Sequence, residues 1–217
     1  VAESGTLYHG NWRNALLRNV TCDFIVVMTY DYMYDFGRTG VAPVEWFKTC
    51  LTNAKRDIGN QWKSKLIAGI CSYGYKAYKN DPWWIELVTR GQLLKKGYTE
   101  LPTTRDTASH ELTFTGRDTV RNKPEGDVYY FFSDQEAMDV HARVALDMGI
   151  NKLSVWHIFG GKDSRDNECL NAWFSDNVVE DYINSQTETP VQPLPEPETP
   201  PTEPEEPETP PTEPEEP

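Results

Sequence analysis

Apolar positions in the first 185 residues fall into three compact runs separated by helical patterns. From Asp23 the chain reads DFIVVMTYD, so that Phe24, Ile25, Val26, Val27 and Met28 lead into polar Thr29, Tyr30 and Asp31. An unbroken β-branched run predicts a strand covered on both faces, as in a parallel sheet. Gly37 and Gly40 mark a loop, and Pro43 then opens a helix on which Val44, Phe47, Leu51, Ala54 and Ile58 share one face.

A second unit begins at KLIAGICSYGY, where Leu66, Ile67, Ala68 and Ile70 end in Ser72, Tyr73 and Tyr75. An insertion rich in Thr, Arg, Lys and Gly follows over about 76–126, with 151 as its furthest bound. Alternation at Glu111–Thr115 and the aromatic run Val128–Phe132 predict two strands of a small antiparallel layer. Ser133 and Glu136 form a capping-box pattern, Ala137, His141, Val144, Ala145 and Met148 make one helical face, and Gly149 sits at the C-terminal cap position. Leu153–Phe159 is the third predicted strand, and a last amphipathic helix is expected over about 167–184.

Strands alternating with helices imply an α/β fold with a parallel sheet, either a small open sheet or the last units of an eight-stranded barrel. In a barrel the chemistry gathers at the C-terminal strand ends. Those ends read Tyr30-Asp31, Tyr73-Gly74-Tyr75 and Trp156-His157. Aromatic rings with polar edges suit a sugar cleft, because pyranose C–H faces pack on the ring while hydroxyls bond at its rim.

Composition divides the chain in two. The last 32 of 217 residues, 186–217, hold 12 of the 16 prolines and 10 of the 34 acidic residues. With one Val and one Leu, this stretch has too little apolar surface to offset its conformational entropy and is expected to be a disordered Pro/Glu/Thr linker. Its PETPPTEPEE unit at 197–206 recurs at 207–216, which reads as a semi-rigid stalk leading to a surface anchor or another module. Residues 1–185 carry 24 acidic against 21 basic residues, a net −3 of the total −13. Without a basic patch, neither nucleic acid nor an anionic membrane is an expected partner, and no apolar run is long enough to span a membrane. Cys22, Cys50, Cys71 and Cys169 have no metal-type spacing with His9, His110, His141 or His157, so no zinc site is expected. Val1 and the residues after it form neither an initiator methionine nor a signal peptide, so the chain reads as lacking its native start.

The three strand ends, in this order, resemble the second half of the family 18 glycoside hydrolases, the chitinase-like (β/α)8 barrels. Met28-Thr29-Tyr30-Asp31 is similar to the family's M-x-Y-D motif on strand six, Lys65–Tyr75 to its strand seven, and Trp156 to the strand-eight tryptophan beneath the scissile sugar. The likeness covers roughly 20–184 and is nearest to bacterial members acting on cell-wall or spore peptidoglycan, then to chitinases. It implies a partial TIM barrel, the last three βα units, with a small α+β insertion.

The resemblance also implies substrate-assisted, retaining hydrolysis of β-1,4 bonds in N-acetylglucosamine polymers, chitin or peptidoglycan. In that mechanism a glutamic acid protonates the leaving oxygen and the substrate's own acetamido group attacks the anomeric carbon. By carry-over, the Tyr30 hydroxyl bonds the acetamido oxygen, Asp31 bonds sugar hydroxyls, Trp156 is the subsite floor, and Met28, Tyr73, Tyr75 and His157 line the site. Trp83 and Trp84 in the insertion are candidates for further subsites. No metal or organic cofactor is implied.

The family's D-x-x-D-x-E acid belongs to strand four, upstream of Val1. The D-x-x-D-x-E string at Asp163, Asp166 and Glu168 follows a Gly-Gly loop without strand alternation and is not expected to replace it. The chain alone is therefore expected to be inactive, and residues 1–185 alone, with open strand edges, poorly soluble. The alternative is a chitinase-like lectin that keeps the cleft and lacks the acid. Asp35, too, could pair with Asp31 in a two-carboxylate glycosidase, although nothing in the sequence fixes their separation. Asn19-Val20-Thr21 matches a glycosylation sequon. The stalk favours an extracellular or cell-envelope location.

Overall fold

The computed structural model describes residues 2–3, 21–33, 39–79, 81–95, 104–118, 126–157 and 174–187. Its centre is a parallel sheet ordered β1-β2-β3-β8, formed by β1 (Ala2–Glu3), β2 (Ile25–Met28), β3 (Leu66–Cys71) and β8 (Leu153–Trp156). The three predicted strands are all present, and β1 adds a fourth that the sequence pattern did not reveal. Register runs from Ile25↔Leu66 to Met28↔Gly69, and from Ala68↔Leu153 to Cys71↔Trp156. Among the described residues this sheet is open rather than closed into a barrel.

Helix α1 (Val44–Ile58) connects β2 to β3. Its apolar face, Phe47, Leu51, Ala54 and Ile58, packs with Ile25, Val27, Leu66, Ala68 and Ile70 of the sheet. Full burial of such side chains contributes roughly 1.5–3 kcal/mol each. A single turn, α2 (Trp62–Lys65), leads into β3.

A second, antiparallel sheet has the order β5-β4-β7-β6, from β4 (Gly74–Tyr78), β5 (Asp81–Val88), β6 (Leu112–Asp118) and β7 (Gly126–Phe132). A short helix, α3 (Arg90–Lys95), follows β5. Two of these strands were expected; β4 and β5 were not, because GYKAY continues a polar, aromatic strand end that reads as loop. The period of two explains how the sheet is used. One face, with Tyr78, Val88, Leu112, Val128, Tyr130 and Phe132, forms its own core. The other sets Tyr75, Ala77 and Phe131 against Tyr30 and Tyr73 of the parallel sheet's strand ends and against Trp46 and Cys50 of α1.

Helix α4 (Gln135–Asp147) returns the chain to β8 and joins the α1 core through Met138, Ala142 and Ala145. Its N-cap is Asp134, not Ser133: the Asp134 carboxylate accepts the Ala137 N–H at 3.2 Å, while the Ser133 hydroxyl donates to the Cys71 carbonyl at 3.1 Å. The expected capping box is not formed: the cap moves to Asp134, whose third following residue is Ala137, since a serine drawn to the end of β3 cannot also cap. Gly149 takes φ +76°, the left-handed turn expected after the helix. Helix α5 (Asp176–Thr187) starts later than expected and reaches two residues into the stretch assigned to the tail. Asp35, the Asn19 sequon, the Asp163–Glu168 string, Cys169 and the repeats lie outside the described residues. No helix among the described residues is long and apolar enough to cross a membrane.

Candidate functional site

The C-terminal ends of β2 and β3 meet at Asp31, and that of β8 joins the cluster through the His157 ring against Tyr73. Beyond the last paired residue of β2, the Thr29 hydroxyl donates to the Gly69 carbonyl and carries the contact with β3 one step further. The ring of Tyr30 then lies over Gly69, where an added Cβ would come within 3.1 Å of Tyr30 Cε1 and 2.6 Å of the Val27 carbonyl oxygen. Only glycine leaves room for the tyrosine there. Asp31 turns the chain with φ +70°, a left-handed conformation that Asp tolerates better than most residues.

Two phenols fix the Asp31 carboxylate. Tyr73, after β3, and Tyr75, in β4, both donate to Oδ1 of Asp31, Tyr75 at 2.7 Å. The hydroxyl protons of Tyr30, Tyr73 and Tyr75 are all held well above ordinary tyrosine values, first by burial and further by the negative charge of Asp31. All three therefore remain neutral, and Tyr73 and Tyr75 serve as permanent donors to the carboxylate. Charge-assisted bonds of this kind are about twice as strong as neutral ones.

The third wall comes from β8. Ser72 ties it to β3: its N–H donates to the Trp156 carbonyl at 3.0 Å and its hydroxyl to the His157 carbonyl at 2.7 Å. The His157 ring stacks on Tyr73 with centroids 6.2 Å apart. Trp156 is 56% exposed, whereas Tyr30, Tyr73 and Tyr75 are 6%, 1% and 7% exposed. The aromatic mouth is thus mostly a buried tyrosine cluster around one carboxylate, with a single indole presented to solvent.

Met28 is half-buried beneath this cluster. The structure does not bring Trp84 into it: neighbouring Ile85 packs towards the cluster, and Trp84, on the alternate face of β5, donates from Nε1 to Glu86 at 3.0 Å. Trp83 belongs to β5, and its side chain lies outside the described residues.

Sequence reasoning missed the support behind the Asp31 turn. Glu111, fully buried, accepts the Val41 N–H at 2.7 Å and the Ala42 N–H at 2.9 Å. Burial pushes its carboxyl up to about 8, partly opposed by these two donors. His141 was placed correctly on the buried face of α4, but its ring does more than pack: Nε2 meets the Ala42 carbonyl at 2.6 Å and Nδ1 the Ala137 carbonyl at 2.7 Å. A glutamate within an alternating strand run normally faces solvent, so periodicity carried no sign of its burial.

No protein-family model matches the sequence, and no curated protein matches it. Solved structures do. A chitinase from Chromobacterium violaceum is 15% identical with a TM-score of 0.53, the match covering 80% of this chain and 49% of that one. The spore cortex-lytic enzyme SleL of Bacillus cereus is 23% identical with a TM-score of 0.48, covering 65% of this chain and 32% of that one. A class V chitinase from Pseudomonas fluorescens is 19% identical with a TM-score of 0.49, covering 70% and 48%. The chain spans half or less of the length of each of these structures. Its structural neighbours are chitinases and spore cortex-lytic enzymes, and the match to the Chromobacterium violaceum chitinase shows that most of the chain has the fold of about half of that structure.

Proposed function

We propose that the mouth formed by Tyr30, Asp31 and Trp156 binds an N-acetylglucosamine-containing polysaccharide, chitin or peptidoglycan, as part of a glycosidase. The observation that carries the reading is the Asp31 carboxylate, held by the hydroxyls of Tyr73 and Tyr75, with the exposed indole of Trp156 linked to Tyr73 through the His157 ring. A fixed carboxylate accepts sugar hydroxyls without first paying to order its own side chain, and an exposed indole offers an apolar face for a pyranose.

The chemistry that fits is substrate-assisted. The acetamido oxygen of the sugar attacks the anomeric carbon, the glycosidic oxygen leaves with a proton from a glutamic acid, and water then opens the oxazolinium with retention. Tyr30, kept protonated by burial, has the phenol needed to hold the acetamido group, and Asp31 has the charge to stabilise the developing cation. The proton donor is proposed to come from sequence upstream of this chain. Tyr73 and Tyr75 act on Asp31, His157 supports Tyr73, and Trp84 is left as a candidate contact for the far end of a long substrate. The acidic repeats are proposed as a stalk to a surface anchor, in keeping with an extracellular or cell-envelope site of action.

The test is hydrolysis of N-acetylglucosamine oligomers and peptidoglycan by the gene product extended upstream of Val1, beside its Tyr30→Phe variant. Hydrolysis that falls by about two orders of magnitude in the variant supports the reading. Binding without hydrolysis by the extended product makes the protein a lectin. Equal hydrolysis by both forms removes Tyr30 from the mechanism.

A further inference from the structure

The segment that follows Asp31 is held from outside the parallel sheet. Glu111 takes the N–H groups of Val41 and Ala42, one on each carboxylate oxygen. His141 meets the Ala42 carbonyl, and the Val44 N–H donates to the Ala108 carbonyl at 2.8 Å. Gly40 allows this approach: a Cβ there would overlap the Ser109 side chain and stand 3.0 Å from Glu111 Oε2. The turn that carries Glu111 is itself braced. Arg105 forms a two-bond pair with Asp134 at the start of α4, both bonds 2.8 Å, and its guanidinium also donates to the His110 carbonyl.

The link from Glu111 to the site is short. Val41, gripped through its N–H, uses its carbonyl to accept the Tyr32 N–H at 2.8 Å. Tyr32 directly follows Asp31, whose left-handed φ persists only where the surrounding chain holds it. Burying a carboxyl group to bond two backbone N–H groups carries a desolvation cost. What the carboxyl group adds is a two-pronged grip of fixed spacing on consecutive peptides.

We infer that Glu111 is a positioning residue for Asp31: a side chain of the antiparallel sheet's leading turn sets, through Val41 and Tyr32, the orientation of the sugar-binding carboxylate. This rests on the carbohydrate reading of the Asp31 mouth. Substrate affinity is then governed by a residue that touches no substrate and belongs to the insertion.

The experiment uses the full chain with Glu111→Gln, which keeps the shape but turns an amide N–H2 towards a backbone donor. Ser109→Ala is the control, because its hydroxyl bonds Asp106 and the Glu111 N–H within the turn itself. Two quantities are read well below each variant's melting temperature: the amide 1H–15N shifts of Asp31 and Tyr32, and the Kd for tetra-N-acetylchitotetraose. Glu111→Gln is expected to move both amides and weaken binding about tenfold, with Ser109→Ala like the wild type. Unmoved amides in Glu111→Gln, or equal changes in both variants, overturn the inference by reducing Glu111 to general support. Should the glutamine variant fail to fold, Glu111→Asp keeps the carboxyl group, shortens the reach by one methylene and is judged by the same criteria. Absence of oligosaccharide binding by the wild type defeats the carbohydrate reading alone, and the amide shifts then decide the role of Glu111.

Discussion

At the residue scale, the site depends on the two phenols that aim one carboxylate. Tyr75→Phe removes the 2.7 Å donor to Asp31 without changing the ring. It is expected to lower the unfolding free energy by about 1.5–3 kcal/mol, measured by denaturant titration, since a hydrogen bond to a charged group is lost in a buried setting. Glu111 supplies a pH dependence of definite sign. Its folded value of about 8 lies above the ordinary carboxylate value, so between the two the folded state holds a proton that the unfolded state has released. Stability from this group is present at acid pH and lost as pH rises towards 8. His141, held below its ordinary value by burial, makes an opposing contribution that fades as pH rises past about 6.5. From there to pH 8 the unfolding free energy is expected to fall by up to about 1.4 kcal/mol per pH unit through Glu111, and Glu111→Gln should flatten that slope. An equal slope in the variant would show that another group titrates.

At the element scale, α4 and the turn before β6 share a connection at Asp134, which caps the helix and pairs with Arg105. Asp134→Ala removes both roles, and loss of the cap alone typically costs about 1 kcal/mol. A drop clearly beyond that, read from thermal or denaturant unfolding, would measure the Asp134 share of the Arg105 pairing, since Glu136 also meets Arg105 at 2.8 Å. The elements also show where sequence legibility ends. The runs at Ile25–Met28, Leu66–Cys71 and Leu153–Trp156 were readable because each is almost wholly apolar, although only Leu66–Cys71 is buried along nearly its whole length, while Ile25–Met28 alternates buried with half-buried positions and Leu153–Trp156 is half-buried to exposed. Helices α1 and α4 were readable from a single apolar stripe each. Strands β4 and β5 were not, since GYKAY runs on from a polar, aromatic strand end that reads as loop, and nothing local shows that Lys76 and Glu86 find each other as an ion pair at 2.8 Å, with Lys76 only 6% exposed. Tyr30, Asp31, Tyr73 and Tyr75 could be picked out as a group from their places at strand ends. That one carboxylate would gather two of the phenols, and that Glu111 would stand behind it, depends on contacts spanning 42 to 70 residues, which no local pattern encodes.

At the scale of the whole molecule, an open parallel sheet is packed on one side of its strand ends by a four-stranded antiparallel sheet, and the site lies where the two meet. Among the described residues the parallel sheet has β1 and β8 as its outer strands, and a parallel strand edge with free backbone groups invites pairing. The chain by itself is expected to self-associate, with sedimentation velocity showing a weight-average mass that rises with concentration. A monomer with a single cooperative melt would count against the proposal that it forms part of a larger barrel.

The central claim is that the Asp31 mouth takes N-acetylglucosamine oligomers across the indole of Trp156. Titrating the full chain with tetra-N-acetylchitotetraose while following indole N–H resonances, in wild type and Trp156→Ala, tests it most directly. A saturable shift of the Trp156 signal is expected in the wild type, with at least about tenfold weaker binding in the variant. A folded wild-type chain whose Trp156 signal never moves, or a variant that binds as tightly as the wild type, would contradict it.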